Sequence, residues 1–283
     1  MKQLQEITID EVINRYAVLL LDAYGVLVHT SGALAGAASL INELNCSGKP
    51  YYILTNDASK LPTTASAKYQ GYGLDLHSER IITSGVLLEN YFATHHLVGA
   101  RCVVLGPEDS ERYVEIAGGR IVSFKDAFDV LVIGDESGFP FLETVDAVLS
   151  TLFYKLDCME DVHLILPNPD LIYPKADQGF GITSGSIALM FEAALNLRYP
   201  NINNLNFVRL GKPHSPIFAE ALKRIGNRDM VMIGDQLETD IRGANSFGID
   251  SVLVSSGVTN LDMTIISEDL CPTYLMNSLK LSC

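Results

Sequence analysis

The stretch VLLLDAYGVL, residues 18–27, decides how this chain folds. Its first four residues, Val18 to Leu21, are apolar, and a carboxylate, Asp22, follows them directly. An unbroken apolar run that ends abruptly at a polar residue is typical of a strand buried on both faces of a parallel sheet. The run therefore predicts a central strand with Asp22 at its carboxyl end.

The same arrangement recurs along the chain, with a helix-like segment after most of the apolar runs. The predicted strands cover 18–21, 51–54, 102–105, 130–133, 163–166, 207–210, 230–233 and 251–254. The predicted helices cover 36–45, 62–70, 85–95, 143–154, 186–197, 216–225 and 239–247. Strands that alternate with helices predict an α/β protein with a parallel sheet.

The length of the chain and the placement of its strands indicate two domains. At 283 residues the sequence exceeds the usual size of one compact domain. The segment 85–180 contains three of the predicted strands, and we interpret it as an insertion between two halves of the main sheet. The prediction is a core domain formed by 1–84 and 181–283 and an inserted domain formed by 85–180.

Charge and composition disfavour several classes of protein. Acidic residues outnumber basic ones by 34 to 20, and the resulting net charge of -14 repels nucleic acid and anionic membrane surfaces. The five cysteines are widely spaced and form no CxxC pair, which argues against a disulfide framework or a zinc site. The amino-terminal segment MKQLQEITIDEVINRYA lacks the apolar stretch of a signal peptide, and no run reaches membrane-spanning length. We therefore expect a cytoplasmic protein that binds neither nucleic acid nor membranes.

Four predicted strand ends carry side chains suited to phosphate chemistry, and in parallel sheets ligands bind at those ends. Taken singly, an aspartate after a strand is more often a turn former, and a lysine more often a solvated loop residue. In combination these side chains indicate one site. Because the chain is so acidic, that site needs a cation to bind phosphate. The residues are Asp22 in LLLDAYGVL, Thr55 and Asn56 in YYILTNDAS, Lys212 in VRLGKPHSP, and Asp235 with Asp240 in VMIGDQLETD.

The order of these motifs resembles that of the haloacid dehalogenase superfamily, and the resemblance covers nearly the whole chain. Within the superfamily, TNDAS, GDQLETD, NPDLIYP and ITSGSIALMFEAAL are similar to the branch of nucleotide phosphatases, p-nitrophenyl phosphatases and predicted sugar phosphatases. The resemblance implies a doubly wound, Rossmann-like core with an inserted class II α/β cap. It also implies a small phosphorylated metabolite as substrate and a homodimer formed through the cap.

The resemblance further implies the nucleophile and the metal site. Asp22 would attack phosphorus and form an aspartyl-phosphate. Mg²⁺ would bind Asp22, Asp235 and the backbone carbonyl of Tyr24, an oxygen-rich set that suits this ion. Asp240 would orient the water shell of the metal or the side chain of Lys212.

The residues that would bind phosphate and substrate follow from the same resemblance. Lys212 would hold the nucleophile and the phosphate together by its charge, and Thr55 and Asn56 would donate to phosphate oxygens. Asn168 and Asp170, in the segment NPDLIYP, would face the substrate. Which phosphoester binds is not encoded in any spacing of these residues.

One residue departs from the phosphatase pattern. Phosphatases of the superfamily usually carry D-x-D-G at the first motif, and its second aspartate protonates the leaving group and later activates water. Here that position is Tyr24, which resembles the DAYG of haloacid dehalogenases, although those enzymes lack the acidic fourth motif. The prediction is a magnesium-dependent phosphomonoester hydrolase that Tyr24 makes slow. A dehalogenase-type hydrolase and a catalytically weak phosphate- and metal-binding protein stay open as alternatives.

Overall fold

The structure, a computed structural model, describes residues 4–175, 179–203, 205–255 and 267–281. The chain divides into two compact units, each an α/β assembly built on a parallel sheet. The predicted α/β class is therefore confirmed. The first unit consists of Met1–Thr55, Pro62–Ile82 and Lys212–Cys283, and the second of Asn56–Leu61 and Thr83–Gly211.

The first unit is built on a seven-stranded sheet with β2 (Val18–Asp22) near its middle. All five residues of β2 are buried, which explains why its sequence shows no alternation of polar and apolar residues. Its neighbours on either side, β14 (Met230–Gly234) and β5 (Tyr51–Thr55), both run parallel to it. In spatial order the strands are β1 (Gln5–Glu6), β16 (Tyr274–Met276), β15 (Asp250–Val254), β14 (Met230–Gly234), β2 (Val18–Asp22), β5 (Tyr51–Thr55) and β6 (Ile81–Thr83).

Local sequence signals set the ends of several helices in this unit. Thr8 and Glu11 form a capping box at the start of the first helix, and Gly226, in the left-handed region, ends the helix that begins at Ser215. A π-helical turn, Leu237–Ile241, leads into the last helix. The helices are α1 (Ile9–Arg15), α2 (Ala37–Ser47), α3 (Pro62–Gly71), α8 (Ser215–Ile225) and α9 (Arg242–Phe247), and a short hairpin pairs β3 (Val28–His29) with β4 (Gly32–Ala33).

The second unit has a five-stranded parallel sheet and its own apolar core. In spatial order its strands are β13 (Val208–Arg209), β10 (His163–Leu166), β9 (Val130–Ile133), β7 (Arg101–Leu105) and β8 (Arg120–Ile121). Its helices are α4 (Leu87–Thr94), α5 (Glu108–Ile116), α6 (Phe141–Asp157) and α7 (Ser184–Arg198). A separate antiparallel hairpin joins β11 (Ile172–Pro174) to β12 (Phe180–Ile182). Side chains from the sheet and from α6 and α7 form the core.

The second unit and the predicted insertion, 85–180, have different limits. Helix α7 and strand β13 lie in 181–283, the part of the chain expected in the core domain, yet both belong to the second unit. The reason is pairing, because β13 forms a parallel ladder with β10, with Val208 opposite Ile165. The loop 56–61 belongs to the second unit as well. That this unit serves as a cap stays a prediction.

Two further expectations concern membranes and cysteines. Among the residues that the structure describes, no helix combines the length and the apolar content that a membrane-spanning segment needs. Cys46, Cys102, Cys158 and Cys271 are free thiols, and Cys283 lies outside the described residues. The cytoplasmic location stays a prediction.

Helix α6 offers a test of the second core, because it carries two leucines in opposite environments. Leu152 is fully buried in that core, whereas Leu142 is 69% exposed. Leu152→Ala should lower the free energy of unfolding by about 2–5 kcal/mol, because it leaves a cavity. Leu142→Ala should change it by less than about 0.5 kcal/mol. Urea unfolding of both variants gives the comparison, and equal losses would contradict this packing.

Candidate active site

The carboxyl ends of three neighbouring strands bring the first, second and fourth motifs to one edge of the first unit's sheet. Strands β2 and β14 pair with Leu21 opposite Ile233, so Asp22 and Asp235 follow at this edge. On the other side β5 pairs with Asp22 opposite Leu54, which places Thr55 at the same edge. Asp22, Thr55 and Asp235 are all buried. Parallel register thus gathers polar residues that are far apart in sequence.

Lys212 lies buried between two carboxylates. Its Nζ donates to Oδ1 of Asp22 at 2.6 Å and to Oδ1 of Asp240 at 2.7 Å. Its side chain is only 3% exposed. A buried ammonium group is costly unless it is both paired and hydrogen-bonded. The two carboxylates meet that requirement and hold the third motif against the first and the fourth.

The charges in this cluster change the proton affinities of its members. Burial raises the pKa of Asp22 to about 7, with Lys212 acting in the opposite direction and Asp240 adding to the rise. Burial lowers the pKa of Lys212, but the attraction of Asp22 and Asp240 outweighs it, so this pKa lies above its ordinary value. Lys212 is therefore cationic. Asp22 is the group whose ionisation a further cation would favour.

Asp240 holds the turn that follows β14. Its Oδ2 accepts hydrogen bonds from the backbone N–H groups of Asp235 and Gln236, both at 3.2 Å, while its Oδ1 accepts from Lys212. A Cβ atom at Gly234 would overlap this carboxylate, so only glycine fits there. Asp240 is fully buried and orients Lys212 and the backbone of Asp235 at the same time.

The carboxylate of Asp235 lies against the backbone of Gly25. A Cβ atom at this glycine would overlap the carboxylate, and its φ of +92° also favours glycine. Neither Gly25 nor Gly234 was singled out from the sequence. The sequence feature that could have identified them is their position inside the motifs DAYG and IGDQLETD, close to the acidic residues whose carboxylates need that space.

The donor set of this cluster fits a hard divalent cation. Asp22, Asp235 and Asp240 are buried, and one carboxylate oxygen from each lies within 4.8 Å of the others. Three carboxylates face the single ammonium group of Lys212, which leaves an excess of negative charge. Oxygen donors of this kind are those that Mg²⁺ prefers in proteins. That Asp22 and Asp235 are the residues that bind the ion stays a prediction.

Tyr24 adds no carboxylate to the cluster. Its ring packs on the apolar core of the first unit, and the ring centroid lies 5.3 Å from that of His29. Its hydroxyl is buried and has no hydrogen-bond partner in the described part of the chain. Leaving a buried hydroxyl unsatisfied costs about 1–3 kcal/mol, which a ligand oxygen at this position would offset. The role of its backbone carbonyl as a metal ligand stays a prediction.

The remaining predicted site residues come together within the second unit. Nδ2 of Asn56 donates to Oδ1 of Asp170 at 2.8 Å, and the backbone N–H of Asp170 donates to Oδ1 of Asn168 at 3.0 Å. The segment NPD therefore forms a tight turn whose polar groups bond to each other and to the second motif. Direct contact of Asn168 and Asp170 with a substrate stays a prediction.

The sequence of the chain is similar to known protein families and to curated relatives. A family model described as haloacid dehalogenase-like hydrolase matches residues 19–120, and a second, described as HAD-hydrolase-like, matches residues 209–281. A protein of Staphylococcus aureus named acid sugar phosphatase is 25% identical over 269 residues, which cover 94% of this chain and 96% of the relative. A Corynebacterium glutamicum protein named dihydroxyacetone phosphatase is 27% identical over 262 residues, covering 92% and 88%.

Solved structures resemble the chain over nearly its full length. A possible sugar phosphatase of the same superfamily from Cytophaga hutchinsonii superposes with a TM-score of 0.85 at 28% identity, covering 99% of this chain and all of that one. A glycerol phosphate phosphatase from Mycobacterium tuberculosis, solved with magnesium, has a TM-score of 0.81 and 23% identity, covering 95% and 77%. At that identity the second likeness concerns the fold alone.

The two ends of β14 provide a matched test of the metal site. Asp235 follows the strand at its carboxyl end, whereas the exposed Asp229 precedes it and accepts from the backbone N–H of Ala17 at 3.1 Å. Asp235→Asn should weaken Mg²⁺ binding at least tenfold, because a buried carboxylate ligand is lost. Asp229→Asn should leave the affinity unchanged. Calorimetric titration with Mg²⁺ measures both, and unchanged binding in Asp235→Asn would rule this ligand out.

Proposed function

Since this chain belongs to the haloacid dehalogenase-like hydrolases and is a phosphatase of that superfamily, we propose that it hydrolyses small phosphomonoesters through an aspartyl-phosphate on Asp22. The two family models match more than half of the chain between them, so the resemblance read from the sequence is confirmed. The observation that carries the proposed mechanism is the buried cluster in which Lys212 joins Asp22 to Asp240, with Asp235 beside them.

The names of the relatives support a class of substrate. They include an acid sugar phosphatase, a dihydroxyacetone phosphatase and a possible sugar phosphatase, all of which are named for small hydroxylated phosphate esters. We therefore propose a sugar phosphate or a similar small phosphorylated metabolite as substrate. Identities of 25–28% support this class and no particular ester.

In the proposed first step Asp22 attacks phosphorus. Lys212 holds Oδ1 of Asp22, so Oδ2 would be the attacking oxygen. A bond forms between Oδ2 and phosphorus while the bond from phosphorus to the ester oxygen breaks. Thr55 and Asn56 donate to the phosphate oxygens, and the ammonium group of Lys212 offsets their charge. In the second step water attacks phosphorus, which releases phosphate and restores the carboxylate of Asp22.

A metal completes the charge balance of the proposed site. When bound by Asp22, Asp235 and the carbonyl of Tyr24, Mg²⁺ would neutralise charge on the phosphate oxygens. Asp240 would keep Lys212 and the backbone of Asp235 in place, as its hydrogen bonds already do. Asp22 has to be ionised to attack phosphorus. Because its pKa is raised, a bound Mg²⁺ ion would help by favouring the ionised carboxylate.

The two alternative functions, a dehalogenase and a protein that only binds phosphate and metal, are both compatible with a tyrosine at position 24. A dehalogenase needs no acid for its leaving group, which suits a tyrosine here, but it does not explain the buried carboxylates of Asp235 and Asp240. A protein that only binds phosphate and metal would retain those carboxylates and need no acid either. Relatives named phosphatases favour turnover, so hydrolysis is the function proposed.

The function is tested by a panel of phosphoesters with Mg²⁺, run beside 2-haloacids. Wild-type protein should release phosphate, EDTA should stop the release, and Asp22→Asn should abolish it because the nucleophile is lost. The exposed variant Asp229→Asn serves as the control and should keep full activity. Release of halide without phosphate would identify a dehalogenase, and release of neither would leave a binding protein.

The tyrosine at position 24 should make turnover depend on the leaving group. General acid and base assistance is worth about 10²–10⁴ in rate, and a phenol is a much weaker acid than a carboxyl group. Aryl and acyl phosphates, whose leaving groups depart as stable anions, should therefore react much faster than sugar phosphates. Aspartyl-phosphate should accumulate and appear as a burst of product, because water lacks a base.

Two variants at this position isolate the missing carboxylate. Tyr24→Asp should raise the rate on sugar phosphates by at least about tenfold, whereas Tyr24→Phe, which removes only the hydroxyl, should give no such gain. Rates on p-nitrophenyl phosphate and on a sugar phosphate measure the contrast. Equal wild-type rates on both, with no burst and no gain from Tyr24→Asp, would mean that another residue supplies the proton.

A further inference from the structure

The loop that follows Thr55 is fixed by buried side chains of the second unit. The hydroxyl of Ser84 donates to the backbone carbonyl of Asn56 at 2.7 Å, and the hydroxyl of Ser110 donates to that of Ala58 at 2.8 Å. Both serines are buried. The second motif is therefore divided, since Thr55 belongs to the first unit and Asn56 is anchored in the second.

The side chain of Asn56 is oriented from two sides. Its Nδ2 donates to Oδ1 of Asp170 at 2.8 Å, and because an ionised carboxylate only accepts, the amide must turn its NH₂ group towards Asp170. On the other side, a Cβ atom at Gly211 would lie 2.5 Å from Oδ1 of Asn56, so the amide oxygen occupies space that only a glycine leaves. An amide flipped by half a turn would set its oxygen against the carboxylate of Asp170.

Asp170 is itself held firmly. Its backbone N–H donates to Oδ1 of Asn168 at 3.0 Å, and its carbonyl accepts from the backbone N–H of Gly185, also at 3.0 Å, and from the hydroxyl of Thr183. A Cβ atom at Gly185 would overlap the same carbonyl. The backbone that carries the carboxylate therefore has little freedom to shift, and Asn56 meets an acceptor in a fixed place.

We propose that Asp170 is a positioning residue, whose carboxylate sets the orientation of Asn56 and thereby the donors that the second motif offers to phosphate. This proposal rests on the proposed function, which makes Asn56 a phosphate ligand. The negative charge of the Asp170 carboxylate strengthens the hydrogen bond that the amide nitrogen of Asn56 donates to it. A carboxylate that itself faced the phosphate would repel it, so acting through Asn56 suits Asp170 better than direct contact.

The test compares binding of inorganic phosphate, in the presence of Mg²⁺, with turnover. Asp170→Ala should weaken phosphate binding about tenfold and raise KM more than it lowers kcat, because the amide can then flip. Asp170→Asn should stay within about threefold of wild type, because its Oδ1 can still accept. Asn56→Ala combined with Asp170→Ala should be no worse than Asn56→Ala alone.

The control is Asp157→Ala. That change removes an acceptor of the same type in the second unit, one that receives hydrogen bonds from Tyr199 at 2.7 Å and Arg198 at 2.8 Å. It should leave both phosphate binding and turnover unchanged. Additive effects of the Asn56 and Asp170 variants, or an Asp170→Asn variant as weak as Asp170→Ala, would overturn the proposal.

A swapped pair separates positioning from stability should Asp170→Ala fail to fold. Asn56→Asp together with Asp170→Asn keeps the hydrogen bond but exchanges donor and acceptor. It should unfold at the wild-type temperature yet bind phosphate at least tenfold more weakly, because a carboxylate replaces the amide. Phosphate binding as tight as that of wild type would overturn the proposal. Wild-type protein that shows the expected binding pattern but hydrolyses no ester would remove the proposed function and leave the positioning role supported.

Discussion

The buried ammonium group of Lys212 is the constraint on which the rest of the site depends. A cation withdrawn from water must be surrounded by acceptors, and Asp22 and Asp240 supply them at 2.6 Å and 2.7 Å. These contacts tie together three segments that are far apart in sequence. They also leave more negative than positive charge at this edge of the sheet, since Asp235 is buried there too. The site is thus organised around one cation and electrostatically suited to a second.

The contacts around this cluster hold charged side chains in place, but they do not hold a proton donor in place. Asp240 binds Lys212 and the turn after β14, and Gly25 leaves the space in which the carboxylate of Asp235 lies. Nothing comparable provides an acid at position 24, where a tyrosine packs on the core and buries its hydroxyl. Phosphoryl transfer relies mainly on positioning and charge neutralisation, so it tolerates such a loss better than reactions that depend on proton transfer throughout.

The second unit has a parallel sheet of its own. The NPD turn begins one residue after β10, at the carboxyl end of the strand, where loops of such sheets bind ligands. Its hydrogen bond to Asn56 links that turn to the loop 56–61 of the same unit. Asn56 and the NPD turn are therefore joined within the second unit. The steric limits at Gly185 and Gly211 make this connection stiff.

The pattern of apolar residues in the sequence was enough to predict much of the fold. A strand buried on both faces must be continuously apolar, and it must end where polar residues begin. That rule located Asp22, Thr55 and Asp235 and the strands that carry them, and the helix-like segments between apolar runs located the long helices α6 and α7. It missed α5, whose sequence EDSERYVEI is largely charged, and it missed the short strands β1, at the edge of the sheet, and β16, next to that edge, which are too short to leave a pattern. Only the tertiary structure decided that β13 pairs with β10, that Asp240 bonds to Lys212, and that Asp170 orients Asn56. A pattern of apolar residues records how deeply each segment is buried, whereas these contacts depend on which segments become neighbours after folding.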